Sequence, residues 1–286
     1  MGYGDEAMSR LVDAIRSLKV KPSGCPHHSA HLTQNLSILL DGQPGLPDVP
    51  AIPQRLRRRL PLMVFRYDLY RGLANCLGND VVSEGITTQG IWEGYETVLV
   101  LDILDRPSPG AYVMDIGSQL GWYSALARYR WPIIAIDNEG EALTLTWDNA
   151  HSLLGTPPFT VCQGWIDEDA PIIPAKAEPI HFAKIDIEGN EVHAVRMLSD
   201  LFLAGKVDYA LIEISPVFND TYPDLVEWLA DCEYGVFQIP PKGWAYTQEY
   251  SEDPLGTLLR HCEIPGKGRR EYVAGLRQEN FVFVRR

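Results

Sequence analysis

Short apolar runs alternate with helix-like stretches along the chain from about residue 90 onward. Ala111–Ile116, Ile133–Asp137, Phe159–Gln163, Ile180–Asp186, Val207–Ile214 and Tyr234–Ile239 read as strands, short and apolar enough for a buried parallel sheet. Helical stretches fall between them at Ile91–Leu104, Leu120–Arg130, Glu139–Leu154, Glu191–Leu203 and Tyr222–Cys232. Pro132 ends the second of these, and Gly155 suits the C-cap of the third. Residues 164–180 form a Pro-rich connection. A long polar excursion then precedes a last strand, Asn280–Val284, with no clear crossover helix before it. That strand is therefore expected to insert antiparallel beside the sixth. Strands alternating with helices predict a mostly parallel sheet covered on both faces, with right-handed crossovers.

Upstream the pattern is weaker. Leu11, Ile15 and Leu18 mark a weak amphipathic helix, and residues 21–53 are Pro-, Gly-, Ser- and His-rich loop with a short helix around Leu36–Leu40. Residues 54–78 look helical again. The division expected is an N-terminal helical and loop extension, 1–88, and an α/β domain, 89–286.

The 286 residues carry a net charge of −13, a field that repels polyanions and favours neutral or cationic substrates. Nucleic acid is disfavoured as a partner. The run Arg55-Leu56-Arg57-Arg58-Arg59 reads as a solvated helix face. Cys25, Cys76, Cys162, Cys232 and Cys262 form no CxxC pair, which fits neither a disulfide framework nor a zinc ribbon and suits a reducing compartment. Cys25-Pro-His27-His28 with His31 lacks a second ligand pair and reads as polar loop. No signal peptide or membrane-spanning run is seen, so the expected location is cytoplasmic.

Open α/β sheets bind ligands outside the carboxyl ends of their strands, so residues there carry the most weight. The first strand runs into Asp115-Ile116-Gly117-Ser118-Gln119-Leu120-Gly121. Gly117 and Gly121 allow backbone to approach a ligand, but this is not the G-x-G-x-x-G of dinucleotide sites. A carboxylate at Asp115 would repel a pyrophosphate and attract a sulfonium or an ammonium. Asp137 ends the second strand 22 residues later, where an acid can accept both hydroxyls of a ribose. Asn138 follows it and is placed to face an adenine, and Gln163 ends the third strand. Glu93 in Trp92-Glu93-Gly94-Tyr95 either reaches a cofactor ammonium or is an exposed helix acid. At the fourth strand, Lys184-Ile185-Asp186-Ile187-Glu188-Gly189-Asn190-Glu191 crowds three acids and a lysine together. Such a cluster is costly unless it binds a cation or handles protons. His181 reads as a structural histidine.

These segments resemble the FkbM family of S-adenosylmethionine (SAM)-dependent methyltransferases. The resemblance runs through Asp115–Ser124, Ile136-Asp137, Asn149, Lys184–Glu191 and Leu211–Ile214, and covers roughly residues 90–240. The chain departs from the family's usual Ala-Asn at Ser118-Gln119, from Glu-Pro at Asp137-Asn138, and from a common histidine at Ser215. The resemblance implies a class I methyltransferase fold: a Rossmann-like, seven-stranded, mostly parallel sheet with an antiparallel last strand. It also implies methylation of a hydroxyl on a saccharide or secondary metabolite. A hydroxyl has a high pKa, so Asp186 is the expected base; alternatively Asp186 and Glu213 share a divalent cation such as Mg²⁺. Other readings are an NAD-linked oxidoreductase, which lacks its third glycine here, and a non-catalytic SAM-binding module. Residues 1–85 and 241–278 are expected to shape the acceptor pocket, with Trp244, Tyr246 and Tyr250 as candidate stacking groups.

Overall fold

A computed structural model describes residue 82 and residues 92–128, 130–151, 158–164, 166, 179–239 and 252–286. The expectations for the N-terminal extension other than Val82, and for Trp244, Tyr246 and Tyr250, lie outside the described residues.

Helix α1 (Gly94–Leu104) precedes strand β1 (Tyr112–Ile116), α2 (Trp122–Ala127), β2 (Ile133–Asp137), α3 (Gly140–His151) and β3 (Phe159–Gln163). Then follow β4 (Ile180–Ile185), α4 (Glu191–Met197), α5 (Ser199–Leu203), β5 (Val207–Ile214), α6 (Tyr222–Asp231) and β6 (Tyr234–Gln238). The chain ends with α7 (Pro254–His261), α8 (Arg269–Ala274) and β7 (Glu279–Arg285). The strands form one seven-stranded sheet of order β3-β2-β1-β4-β5-β7-β6. β7 is antiparallel to both β5 and β6, and the other pairings are parallel. This is the Rossmann-like class I methyltransferase arrangement.

Three of the expected features differ. The helix over Glu191–Leu203 breaks at Leu198 into α4 and α5. The excursion before the last strand contains α7 and α8, which its polar composition hid. α7 starts at a readable signal: Pro254 sits in its first turn, and the Asp253 carboxylate accepts from the Gly256 N–H. β3 is the sheet edge and is mostly exposed rather than buried.

Strand side chains alternate between faces, and that period-2 pattern decides what the sheet presents to its helices. Met114, Ile116, Ala183, Ile185, Ile212, Ile214, Phe281 and Phe283 pack in one core with α4, α5 and α6. Val113, Phe182, Leu211 and Val282 pack in the other with α1, α2 and α7. The same alternation puts Asp115, Lys184, Glu213 and Asn280 on the α1–α2 face, at the end nearest the strand tips. Register joins them across strands: Asp115 lies beside Lys184, and Glu213 beside Asn280. No helix among the described residues is long and apolar enough to cross a membrane. Cys162, Cys232 and Cys262 are free thiols.

Gly117 (φ +80°) shows how tightly the strand tips are drawn together. A Cβ there would lie 1.7 Å from the Asp186 carbonyl oxygen. At Gly110 (φ +78°) a Cβ would meet nothing within 4 Å. Gly110→Ala therefore costs only backbone strain, about 1–2 kcal/mol. Gly117→Ala adds a backbone collision and is expected to cost at least twice as much in urea unfolding; equal losses would show that the tips can separate freely.

Candidate active site at the strand tips

A cleft of about 780 Å³ opens outside the ends of β1, β2, β4 and β5, within the range of small-molecule sites. Its lining includes Glu93, Gly117, Gln119, Asp137, Asn138, Glu139, Asp186, Glu188, Glu213 and Gln278. Three lining residues that are not glycine hold left-handed backbone: Glu93 (φ 42°), Gln119 (φ 45°) and Glu188 (φ 53°). Among the described residues, Glu233 is the one other such case. Backbone strain of this kind collects where a site needs fixed groups.

At the β1–β2 end, the Asp137 carboxylate is locked by two backbone donors. Its Oδ2 accepts from Gln119 N at 2.8 Å, and its Oδ1 accepts from Glu139 N at 2.9 Å. Each oxygen keeps a second lone pair, enough to receive a pair of vicinal hydroxyls. The turn carrying Gln119 is tied to α3, because Thr146 Oγ1 donates to the Gln119 carbonyl at 2.9 Å. Asn149 is buried in α3 and donates to the Leu120 carbonyl at 2.8 Å, a structural role.

Three residues expected to touch a cofactor do not line the cleft. Asp115 is 1% exposed, and its Oδ2 accepts from both the N–H (2.9 Å) and the hydroxyl (2.7 Å) of Ser124, in the first turn of α2. It anchors that helix to β1 and takes no place at the ligand surface. Burial pushes its carboxyl up to about 6, against those two hydrogen bonds. Gly121 serves helix packing: a Cβ there would lie 2.7 Å from Thr146 Cα. Gln163 donates to the Asn138 carbonyl at 3.3 Å and packs on Gly140, so it braces the β2 tip from behind.

At the β4–β5 end, Asp186, Glu191 and Glu213 offer oxygens within 4.8 Å of one another. Two of these acids are committed, Asp186 to an ion pair and Glu191 to backbone and tyrosine donors. Lys184 Nζ lies 3.1 Å from Asp186 Oδ2 and 3.7 Å from Glu93 Oε2, above the Tyr123 ring. Burial works against the Lys184 charge, but Glu93, Asp186 and Glu96 outweigh it and push its pKa up, so it is an ammonium. Glu191 accepts from the N–H groups of Ile187 and Gly189 and from the Tyr222 hydroxyl. Glu93 accepts from the Tyr123 hydroxyl, and Asn280 Nδ2 contacts both Glu93 (3.4 Å) and Glu96 (3.2 Å). The acids expected to share Mg²⁺ are thus built around an internal cation, which would repel a divalent ion on Asp186. Glu213 differs from its neighbours: Gln278 donates to Oε1, while Oε2 is buried without a partner. Burial, and then the charge of Asp186, push Glu213 up to about 7; burial, and then Glu93, do the same to Glu96.

Sequence reasoning singled out Asp137, Asp186, Glu213 and Glu93, and the cleft brings these together. It missed Glu96, Tyr123, Asn280 and Gln278, and did not give Lys184 its partners. The strand alternation that places Lys184 and Asn280 on one face was the available signal for two of them.

No protein-family model and no curated protein matches the chain. Among solved structures, it is similar to precorrin-6y C5,15-methyltransferase from Geobacter metallireducens, at 15% identity over 68% of this chain and 91% of that one, TM-score 0.39. It is similar to magnesium protoporphyrin IX methyltransferase from Synechocystis, solved with bound SAM, at 13% identity over 77% and 91%, TM-score 0.44. A TehB-like SAM-dependent methyltransferase from Corynebacterium glutamicum matches at 12% identity over 77% and 96%, TM-score 0.39.

Two outcomes follow from this geometry. Asp115→Asn keeps an acceptor for Ser124, so it should leave affinity for S-adenosylhomocysteine (SAH) within about threefold by calorimetry, while Asp115→Ala lowers stability by about 1–3 kcal/mol. A collapse of binding in a stably folded Asp115→Asn protein would return that residue to the cofactor. The second outcome concerns pH. A carboxyl whose pKa is raised in the folded state favours folding while protonated; that contribution is full below about pH 4 and is lost as pH rises through 6–7. Glu213→Gln removes its share of the loss. The melting temperature of the variant should match wild type near pH 4.5 and exceed it by about 2–4 °C at pH 8, for roughly 1 kcal/mol.

Proposed function

We propose that the chain is a SAM-dependent methyltransferase acting on a hydroxyl of a small molecule, with Asp137 binding the cofactor ribose and Asp186 serving as base. The observation that carries this reading is the charge of the cleft. Glu93, Asp137, Glu139, Asp186, Glu188 and Glu213 line it, and among the described residues no lysine or arginine does. A pyrophosphate needs clustered N–H donors or basic side chains and would be repelled here. A nucleoside carrying a sulfonium and an ammonium is attracted. The same charge argues against the NAD-linked alternative and against a polyanionic acceptor.

Bound SAM supplies a methyl carbon already activated for displacement by its sulfonium. The protein's own part is alignment, exclusion of water and movement of one proton. The Gly117–Gln119 turn and Asp137 fix the nucleoside end, each bound to the other through the Gln119 N–H. Glu93 is placed for the cofactor's ammonium. Asp186 accepts the hydroxyl proton as the oxygen–carbon bond forms, and the Lys184 ammonium at 3.1 Å holds the carboxylate in position. The resemblance of the Lys184–Glu191 block to the FkbM family supports this reading.

Calorimetric titration should give binding of SAH and none of NAD⁺. Asp137→Ala should weaken SAH by about 1.5–3 kcal/mol, the scale of hydrogen bonds to a charged group. Asp186→Asn should retain SAH affinity yet lose about 10²–10⁴ in methyl transfer to hydroxyl acceptors, the range of a general base. Full turnover in Asp186→Asn removes that assignment, and NAD⁺ binding in place of SAH removes the reading as a whole.

A further inference from the structure

Among the described residues, two neighbouring oxygens at the acid end, Glu213 Oε2 and Asn280 Oδ1, are buried without a hydrogen-bond partner, and Glu213 lines the cleft. Glu213 is 8% exposed, it lines the cleft, and its Oε2 has no hydrogen-bond donor among the described residues. A buried carboxylate oxygen left bare is costly, so a site that retains one is built for a donor that arrives with a ligand. The neighbouring ammonium does not fill the role: Lys184 forms its ion pairs with Asp186 and Glu93.

We infer that Glu213, supported by Glu188, is a subsite for a positively charged nitrogen on the acceptor, making the acceptor an amine-bearing alcohol. This rests on the methyltransferase reading and narrows its substrate class. Three features favour a charged nitrogen over other donors. Asp186 and Glu191 lie beside Glu213, and Glu188 lines the same end, so the local field is strongly negative. A hydroxyl donor would meet the hydrogen bond but not the charge. A divalent cation would want several open oxygens, whereas Glu191 is committed to backbone and tyrosine donors and Asp186 to Lys184. The pKa of Glu213, raised chiefly by its burial, is the mark of a carboxyl without its counter-charge.

One exposed aromatic side chain stands near the Glu188 end, outside the residues that line the cleft. Phe218 is 61% exposed, and a Cβ built on Gly189 would lie 3.2 Å from its Cβ, so the residue stands beside the Glu188–Gly189 turn. An exposed phenylalanine beside carboxylates suits a ring that carries an ammonium.

The test titrates the SAH-loaded full chain with matched pairs: tyramine against 4-ethylphenol, and glucosamine against glucose, with Mg²⁺ alone as a separate arm. In at least one pair the amine should bind about tenfold tighter. Glu213→Gln, which the pH argument expects to fold at least as stably as wild type, should reduce that preference to within about twofold and keep SAH affinity. No amine preference in either pair, or an equal preference in the variant, overturns the inference and leaves the methyltransferase reading standing. Loss of SAH binding in the variant assigns Glu213 to the cofactor instead. Mg²⁺ binding that the variant abolishes makes the subsite a metal site. Failure of the wild-type chain to bind SAH overturns both readings.

Discussion

Lys184 is an ammonium buried inside the protein, its side chain 3% exposed, and the acid end of the cleft is arranged around that charge. Removing an ion from water is expensive even after relaxation, several kcal/mol by general experience. Here the expense is offset locally. Asp186 and Glu93 stand within ion-pair distance, Glu96 adds its field, and the Tyr123 ring lies 5.2 Å away. The cluster draws on three parts of the chain, α1 with its preceding residue, α2 and β4, so helix placement and charge balance are one constraint. A shift of α1 would strand Lys184, and loss of Lys184 would leave the acids of α1 facing Asp186 across a buried space.

Most of the sheet was legible in the sequence because apolar runs of strand length are hard to mistake. Ile133–Asp137, Phe159–Gln163 and Val207–Ile214 stand where the pattern put them. α7 and α8 were not legible, since their faces mix polar and apolar residues and each is short. The candidate site was legible where a carboxylate sits at a strand tip, as at Asp137 and Asp186. It was not legible where depth along the strand mattered. Asp115 and Asp137 occupy similar positions in the sequence, one residue before a turn and at a strand end. Both lie on the same face of the sheet, since Asp115 pairs with Ala135 and Asp137 is two residues further on; Asp115 sits deeper, where Ser124 of α2 takes it, and Asp137 reaches past the tip to the cleft. Alternation says which face a residue takes; depth along the strand says whether it reaches the cleft.

The glycine turn shows a similar division of labour. Gly117 lacks a side chain because the Asp186 carbonyl occupies the space, and Gly121 because α3 does. Neither requirement mentions a ligand. Their effect on the site is indirect: close approach of β1 to β4, and of α2 to α3, brings the Gln119 N–H to Asp137. The left-handed backbone at Gln119 is the strained link that closes this arrangement, held by Thr146 on one side and Asp137 on the other. Packing in the layer below thus fixes the donor geometry above.

Charge separates the two ends of the cleft. At the β2 tip the carboxylate is satisfied by backbone N–H groups, so a neutral diol suits it and no charge is required of the ligand there. At the β4–β5 tips the carboxylates outnumber the cation found there among the described residues: Lys184 stands against Asp186, Glu93 and Glu96, with Glu213 and Glu96 both driven toward protonation by burial. A site of that kind stores unfavourable energy in the ligand-free state and releases it when positive charge enters. A single positive charge that enters beside Glu213 and Glu188, away from Lys184, gains from this field. A methyl donor gains less as its charge is lost in the reaction, and its neutral product is held less firmly. On the proposed reading, the imbalance that makes the free cleft costly therefore also favours entry of the sulfonium-bearing cofactor and departure of a product that has lost that charge.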